Sequence, residues 1–380
     1  MKIGYHAPLP PVRSGVADYA AALLGALRKH GDVVVNSAGT SVNLYHLGNN
    51  DLHRRIYSLA LERPGVVVLH DAVLHHMLLG SFDETRYVAE FVYNYGEWSR
   101  DLAAQLWRDR RCSGSDPRYF QYAMLRRIAE RSQALIVHNP AAANIVRSHS
   151  LAARLIEIPH LFSPPVLPAG WEVARLRQSM GFRPHTFVFG VFGYQRESKR
   201  VLPILRTFAE LRAAGLDAGL VVAGEFVSRD LARAAEPLLR SPGVCRAGFA
   251  PEDTFWKLAS AVDACLALRY PPAGETSGIA IRLMGIGKPV LITDSAESER
   301  LPETACVRVD AGPGETDSLA AQMMWLVRFP ESAREIGRRA RQYIGEKHSV
   351  ERAAGSYWEA LCAASCTMIV DSTKNGSEKH

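Results

Sequence analysis

Short apolar runs and segments of helical period alternate along nearly the whole chain. Residues 2–5, 32–36 and 42–45, with Val66–Leu69 and Ala134–Val137, read as strands. Residues 265–268 close an apolar run, the pattern of a buried strand. Residues 16–29 carry Tyr19, Leu23, Leu24 and Leu27 on one helical face. Residues 74–79 and much of 87–131 also read as helix. The stretch from Ala7 to Gly15 holds Pro8, Pro10 and Pro11 and must be a loop. The second half repeats the scheme. Residues 186–193, Ala218–Ala223, 262–268 and 289–293 read as strands, and 201–214, Arg229–Leu239 and 253–261 as helices. Strands separated by helices imply parallel sheets with helical crossovers, an α/β fold of two doubly wound, Rossmann-like domains. The domains join near Pro164 and Pro165, at 1–165 and 166–348, and face each other. Ligands of such sheets bind beyond the carboxyl ends of the strands, so the expected site is the cleft between the two. A last helix covers residues 350–361, within a segment 349–368, and residues 369–380 read as a frayed polar tail.

Composition narrows the class. With 380 residues, 47% apolar and 22% charged, each half can build its own core. No run approaches the roughly 18 apolar residues of a membrane helix. The chain enters its first strand at Lys2, without a signal-peptide pattern. Six scattered cysteines show no metal-ligand spacing and read as reduced, non-catalytic thiols of a cytoplasmic protein. The net charge is +6. Between Arg86 and Arg131 stand nine arginines against six acids, interleaved with Trp98, Trp107, Tyr119, Phe120 and Tyr122. Two readings are open: a peripheral surface for anionic lipid at the inner face of a membrane, or a solvated helical hairpin with core aromatics.

Candidate chemistry concentrates after the strands. In Arg269–Asp294 a strand runs into a loop, then Thr276, Ser277 and Gly278 open a short helix that Gly287 can end in a left-handed cap. Free N–H groups at such a start hold anions, and Glu275 stands just ahead. A phosphate pocket beside a carboxylate suits a nucleotide sugar. Gly15, in the first strand–helix connection, lets backbone approach a ligand closely. His70 and Asp71 follow Val66–Leu69 at a strand's carboxyl end. His75 and His76 follow on a helix and read as core histidines; a metal site lacks defined third and fourth partners. Gly193 closes the strand before Tyr194-Gln195-Arg196-Glu197-Ser198-Lys199-Arg200.

The Gly274-Glu275-Thr276-Ser277-Gly278 loop, the His70-Asp71-x3-His75-His76 string, Leu47-Gly48-Asn49-Asn50 and Lys199 together resemble retaining family-4 glycosyltransferases of the GT-B fold, in a bacterial subgroup. The resemblance spans residues 2–361. It implies that the last helix crosses back onto the N-terminal domain. It implies that His70 touches the transferred sugar, with Asp71 orienting it or the acceptor, and that Glu275 holds sugar hydroxyls or steadies charge at the anomeric carbon. Gly15, Gly193, Thr276, Ser277 and Gly278 would line the donor, and Lys199 and Arg196 would neutralise the leaving diphosphate. Two departures stand out. Tyr194 replaces the family arginine, with Arg196 two positions on. The second glutamate of the Glu-x7-Glu pair falls at Arg282 or Leu283, with Asp294 and Glu297 as candidate substitutes. The implied activity is hexosyl transfer with retention from a UDP- or GDP-linked sugar to a glycan or lipid-linked acceptor, as in polysaccharide biosynthesis. The chain has no Asp-x-Asp, which fits metal-independent transfer without a cofactor, and no G-x-G-x-x-G, Walker loop or G-x-S-x-G elbow. No nucleic-acid partner is implied. An epimerase or inverting transferase with Asp71 as base, and a non-catalytic nucleotide-sugar-binding protein, remain the other readings.

Overall fold

A computed structural model describes residues 1–376, and side chains to residue 366. The elements run in chain order β1 (Lys2–His6), α1 (Gly15–Leu27), β2 (Asp32–Val35), β3 (Val42–Leu47), α2 (Arg54–Glu62), β4 (Val66–Leu69), α3 (His75–Ser81), α4 (Glu84–Tyr95), α5 (Arg100–Asp109), α6 (Arg118–Gln121), α7 (Arg126–Arg131), β5 (Ala134–Val137), α8 (Pro140–His149) and β6 (Leu155–Glu157). They continue with α9 (Gly170–Ser179), β7 (Phe187–Phe192), α10 (Val201–Ala213), β8 (Ala218–Ala223), α11 (Arg229–Leu239), β9 (Val244–Ala247), α12 (Glu252–Ala261), β10 (Ala264–Ala267), α13 (Gly278–Gly285), β11 (Val290–Thr293), β12 (Val307–Val309), α14 (Glu315–Arg328), α15 (Pro330–Lys347) and α16 (Val350–Gly376).

The chain divides into two compact units. The first comprises Met1–Leu161, Pro272–Thr276 and the segment from His348 on; the second comprises Phe162–Pro271 and Ser277–Lys347. Each holds one six-stranded sheet, ordered β2-β1-β3-β4-β5-β6 and β12-β11-β10-β7-β8-β9, with every pairing parallel. This is a doubly wound α/β architecture, one sheet to each unit.

Alternation across the first sheet sends Val67, Leu69, Leu135 and Val137 to a core with α2 to α5, α7 and α8. Val66, Val68, Ala134 and Ile136 face the opposite core, with α1 and α16. Tyr357 of α16 and Tyr19 of α1 share a buried hydroxyl–hydroxyl bond of 2.9 Å. The helix expected over 350–361 thus packs on the first unit's sheet, and it runs on to Gly376. Of the tail expected over 369–380, residues 377–380 lie outside the described residues.

In the arginine-rich segment four of nine arginines are paired: Arg100 with Glu97, Arg118 with Asp109 and Asp116, Arg126 with Glu130, and Arg127 with Glu90. Tyr119 is fully buried and Trp107, Phe120 and Tyr122 pack against the same core, while Trp98 is 71% exposed. These aromatics serve mainly as core. Among the described residues no helix is long and apolar enough to cross a membrane.

Candidate functional site

In the second unit the site grows from the end of β7. Gly193 turns the chain at φ +79°, a conformation that favours glycine. Behind it lies Gly224 at φ +134°, and a Cβ there would run into the Gly193 carbonyl. Two strand ends therefore meet backbone to backbone. Gln195, fully buried, pins the loop: its Nε2–H donates to Gly193 O at 2.7 Å and its main-chain N–H to Glu225 O at 2.8 Å. Lys199 ends a short helical turn, and its Nζ donates to Phe192 O at 3.0 Å. A Cβ built on Gly193 would stand 2.9 Å from that Nζ and 3.7 Å from Ile279 Cδ1. One glycine is thus flanked by the ammonium of Lys199 and the first turn of α13.

That first turn keeps donors to spare. Ala280 N–H goes to Ser277 Oγ at 3.3 Å and Ile281 N–H to Ser277 O at 3.1 Å. Gly278 and Ile279 contribute the remaining N–H groups of the turn, at the positive end of the helix dipole. The far end closes as expected: Gly287 is left-handed at φ +83°, and Lys288 N–H reaches back to Leu283 O at 3.0 Å. Leu283 and Met284 are fully buried, and Ile279 is half-buried beside Gly193.

Arg196 is exposed and its guanidinium has no ion-pair partner among the described residues, whereas the neighbouring Arg200 is bound to the buried carboxylate of Glu315 at 2.8 Å. Where a second glutamate was sought, Arg282 pairs with Glu252 at 2.6 Å and lies over the rings of Phe255 and Trp256. Leu283 is core. Asp294 is paired with Arg308 at 2.8 Å. Glu297 is half-buried, one residue into the turn after Ser295, and no protein group holds its carboxylate among the described residues.

Pro272–Thr276 belongs to the first unit. Ala72 N–H donates to Ala273 O at 2.9 Å, and Asn139 Nδ2 donates to both Gly274 O and Thr276 Oγ1 at 3.0 Å. Gly274, at φ +70°, lies where a Cβ would stand 2.6 Å from Ala72 Cβ. Glu275 folds back to accept from Ala273 N–H at 2.7 Å. Glu275 and Thr276 are therefore anchored to the first unit, while Ser277 and Gly278 begin the second unit's helix.

The first unit gathers histidines at the strand ends. His6, His46, His70 and His138 stand at the carboxyl ends of β1, β3, β4 and β5, four adjacent strands. His46 Nδ1 and His70 Nε2 share a hydrogen bond of 2.9 Å. Tyr19 presents its ring to His70 and to His160 at 4.8 Å, and to His138 at 5.3 Å. His53 Nδ1–H donates to His46 O at 3.0 Å, and His138 Nδ1–H to Ile158 O at 2.9 Å. Burial pushes His46 and His70 well below the usual imidazole range, helped by neighbouring histidines. It takes His53 and His138 down to about 4. The cluster is neutral at pH 7. Among the described residues no group of three His, Cys, Asp or Glu is placed to hold a metal.

Asp71 accepts Asn49 N–H at 2.7 Å, and a Cβ on Gly48 would be squeezed between His53 Nε2 at 2.9 Å and Asp71 Oδ2 at 3.1 Å. Asp71 thus orders the Gly48–Asn49 turn beside His70. His75 is a satisfied core histidine: Nδ1–H donates to Tyr122 O at 3.0 Å and Nε2 accepts Tyr87 O–H at 2.7 Å. His76 Nε2–H donates to Ser113 O at 3.0 Å and Nδ1 accepts from Asn49 Nδ2 at 3.1 Å. Gly15 opens α1, capped by Ser14, and a Cβ there would meet nothing within 4 Å. No protein neighbour requires a glycine there.

The fold has solved counterparts. The HepE protein of Anabaena, in complex with UDP and glucose, matches with a TM-score of 0.67 at 15% identity, over 96% of this chain and 100% of that one. Sucrose-phosphate synthase from Thermosynechococcus elongatus matches with a TM-score of 0.65 at 14% identity, over 96% and 100%. WaaG, a glycosyltransferase involved in lipopolysaccharide biosynthesis, matches with a TM-score of 0.62 at 15% identity, over 93% and 98%. No family model and no curated protein sequence matches the chain. The likeness establishes the shared two-domain α/β architecture of the GT-B fold over 93% to 96% of the chain.

Proposed function

We propose that the chain is a glycosyltransferase that takes a hexose from a nucleoside-diphosphate sugar, UDP-linked by preference, and passes it with retention to a hydroxyl of a glycan or lipid-linked acceptor. One observation carries the reading: Gly193 bare between the Lys199 ammonium and the open N–H groups of α13. A phosphate resting there meets a cation, main-chain donors and no side chain in its way. The match to HepE, solved with UDP-glucose, supports the choice of uridine.

In this reading Lys199 and the Gly278 and Ile279 amides stabilise charge growing on the departing diphosphate, assisted by Arg196. Ser277 caps the helix and Gly15 leaves room for the diphosphate. Glu275 and Thr276 bring the loop end, and His70 contacts the sugar. Asp71 holds the neighbouring turn. The leaving phosphate accepts the acceptor's proton on the face it departs from, so no protein base and no metal is required. A neutral His70 and an Asp71 bound to a main-chain N–H agree with that division. Arg282 in the place of a ribose-binding glutamate favours the second reading, a nucleotide-sugar-binding protein without turnover.

The test is incubation with UDP-glucose, UDP-N-acetylglucosamine and GDP-mannose, with glycan acceptors, following nucleotide release and the anomeric configuration of the product by NMR. Release with a retained anomer is expected. An inverted product sinks retention, and a thermal shift with UDP but no release on any acceptor establishes the binding protein.

A further inference from the structure

His46 and His70 share one hydrogen bond, and its proton has two places to sit. If His70 Nε2–H donates, a neutral His46 must carry its own proton on Nε2. That nitrogen is buried without a partner. If His46 Nδ1–H donates, the buried Nε2 is a bare lone pair. An orphaned buried N–H is the rarer and costlier state. A doubly protonated ring would add a buried charge amid three other histidines and is worse still.

We propose that His46 is a positioning residue: it donates Nδ1–H to His70 Nε2, which fixes the proton of His70 on Nδ1 and makes His70 a neutral hydrogen-bond donor to a sugar hydroxyl oxygen rather than a base. The inference rests on the reading of His70 as the sugar contact. His70 Nδ1 has no protein partner among the described residues, and it is not among the sealed nitrogens, which are Nε2 of His46, His53 and His138. The His70 ring is held edge-on by Tyr19 at 4.8 Å and stacked on His46 at 5.2 Å, so that Nδ1 has a fixed direction. His46 is held in turn by Tyr5 at 5.0 Å and is fully buried. A fixed N–H selects a hydroxyl oxygen as acceptor. A donor sugar deoxygenated at that carbon leaves the N–H unpaired and turns over more slowly.

The full-length protein labelled with 15N-histidine reports the tautomer directly, with no ligand present. The expected spectrum shows His70 protonated on Nδ1 and His46 on Nδ1. In His46→Asn the amide N–H stands near the place of the imidazole Nδ1, so His70 keeps its tautomer and most of its turnover of UDP-glucose. In His46→Asp a carboxylate oxygen near that place can only accept, so His70 moves to the Nε2–H form and kcat falls about tenfold or more with KM little changed. A wild-type His70 protonated on Nε2 overturns the proposal, as does an unchanged His70 signal in His46→Asp. His70→Ala separates the two readings. Full activity in that variant removes the sugar contact and leaves the tautomer assignment standing. Loss there with none in His46→Asp removes only the positioning role.

Discussion

At the scale of single residues, the proposed donor site draws on positions where the protein itself has no use for the residue it carries. Gly15 is such a case, because a Cβ there meets open space. Gly15→Ala is expected to keep or slightly raise the melting temperature and to raise the donor KM, measured by nucleotide release. An unchanged KM removes the loop from the donor. Gly274 is the opposite case. Its positive φ and the close approach of Ala72 are purely internal demands, and Gly274→Ala should cost about 1–3 kcal/mol by urea unfolding. Lys199→Ala should lower kcat/KM by an amount worth about 2–4 kcal/mol if the ammonium faces the leaving diphosphate. The sequence made Gly193, Lys199 and the Ser277 helix start legible, because glycine, lysine and cap signals are local. It hid the company His70 keeps. Each of the strings Tyr5-His6, Tyr45-His46, Leu69-His70 and Val137-His138 ends an apolar run, and alone each reads as a core histidine. Only the order β1-β3-β4-β5 brings them side by side. A histidine recurring at successive strand ends was the available signal.

At the scale of elements, legibility followed burial. Val66–Leu69, Ala134–Val137 and Ala218–Ala223 are covered on both faces and stood out as apolar runs. The strands the pattern missed, β6, β9 and β12, all lie at sheet edges. They are three or four residues long, and β6 and β9 are half-exposed, so their composition carries little contrast. The helices α14 and α15 were missed for other reasons: α15 carries a strongly charged outer face that dilutes its apolar stripe, while α14 leaves Met324 and Trp325 exposed and so blurs its own. The Tyr19–Tyr357 bond links elements 338 residues apart, beyond any local reading. Tyr357→Phe strands the Tyr19 hydroxyl in a buried place and should reduce the unfolding free energy by about 1–2 kcal/mol in urea titration. An unchanged midpoint would show that hydroxyl to be satisfied elsewhere.

At the scale of the molecule, the histidine set makes stability depend on pH. Burial holds His46, His53, His70, His75 and His138 below the ordinary value of 6.5, with His75 down to about 3. The unfolded chain therefore takes up protons first as pH falls. Stability is full above about 6.5 and declines toward 4, each such group contributing up to about 1.4 kcal/mol per pH unit. The melting temperature should fall steeply between pH 6.5 and 5, before most carboxylates titrate. A flat profile there would mean that these rings are charged or hydrated in the native state. The +6 net charge grows over the same interval and adds self-repulsion.

The helix that begins at Val350 has a consequence for biosynthesis. Its partners Tyr19, Leu23 and Leu27 emerge from the ribosome more than 300 residues earlier and wait for it with their apolar face uncovered. A polypeptide cut short before Val350 leaves that face open to proteases and leaves Tyr19, the ring that braces His70, without its backing. Interrupted translation thus yields products fit for clearance and unfit for the proposed transfer, and a stop introduced after Ser349 should give a protease-sensitive chain that releases no nucleotide from UDP-glucose.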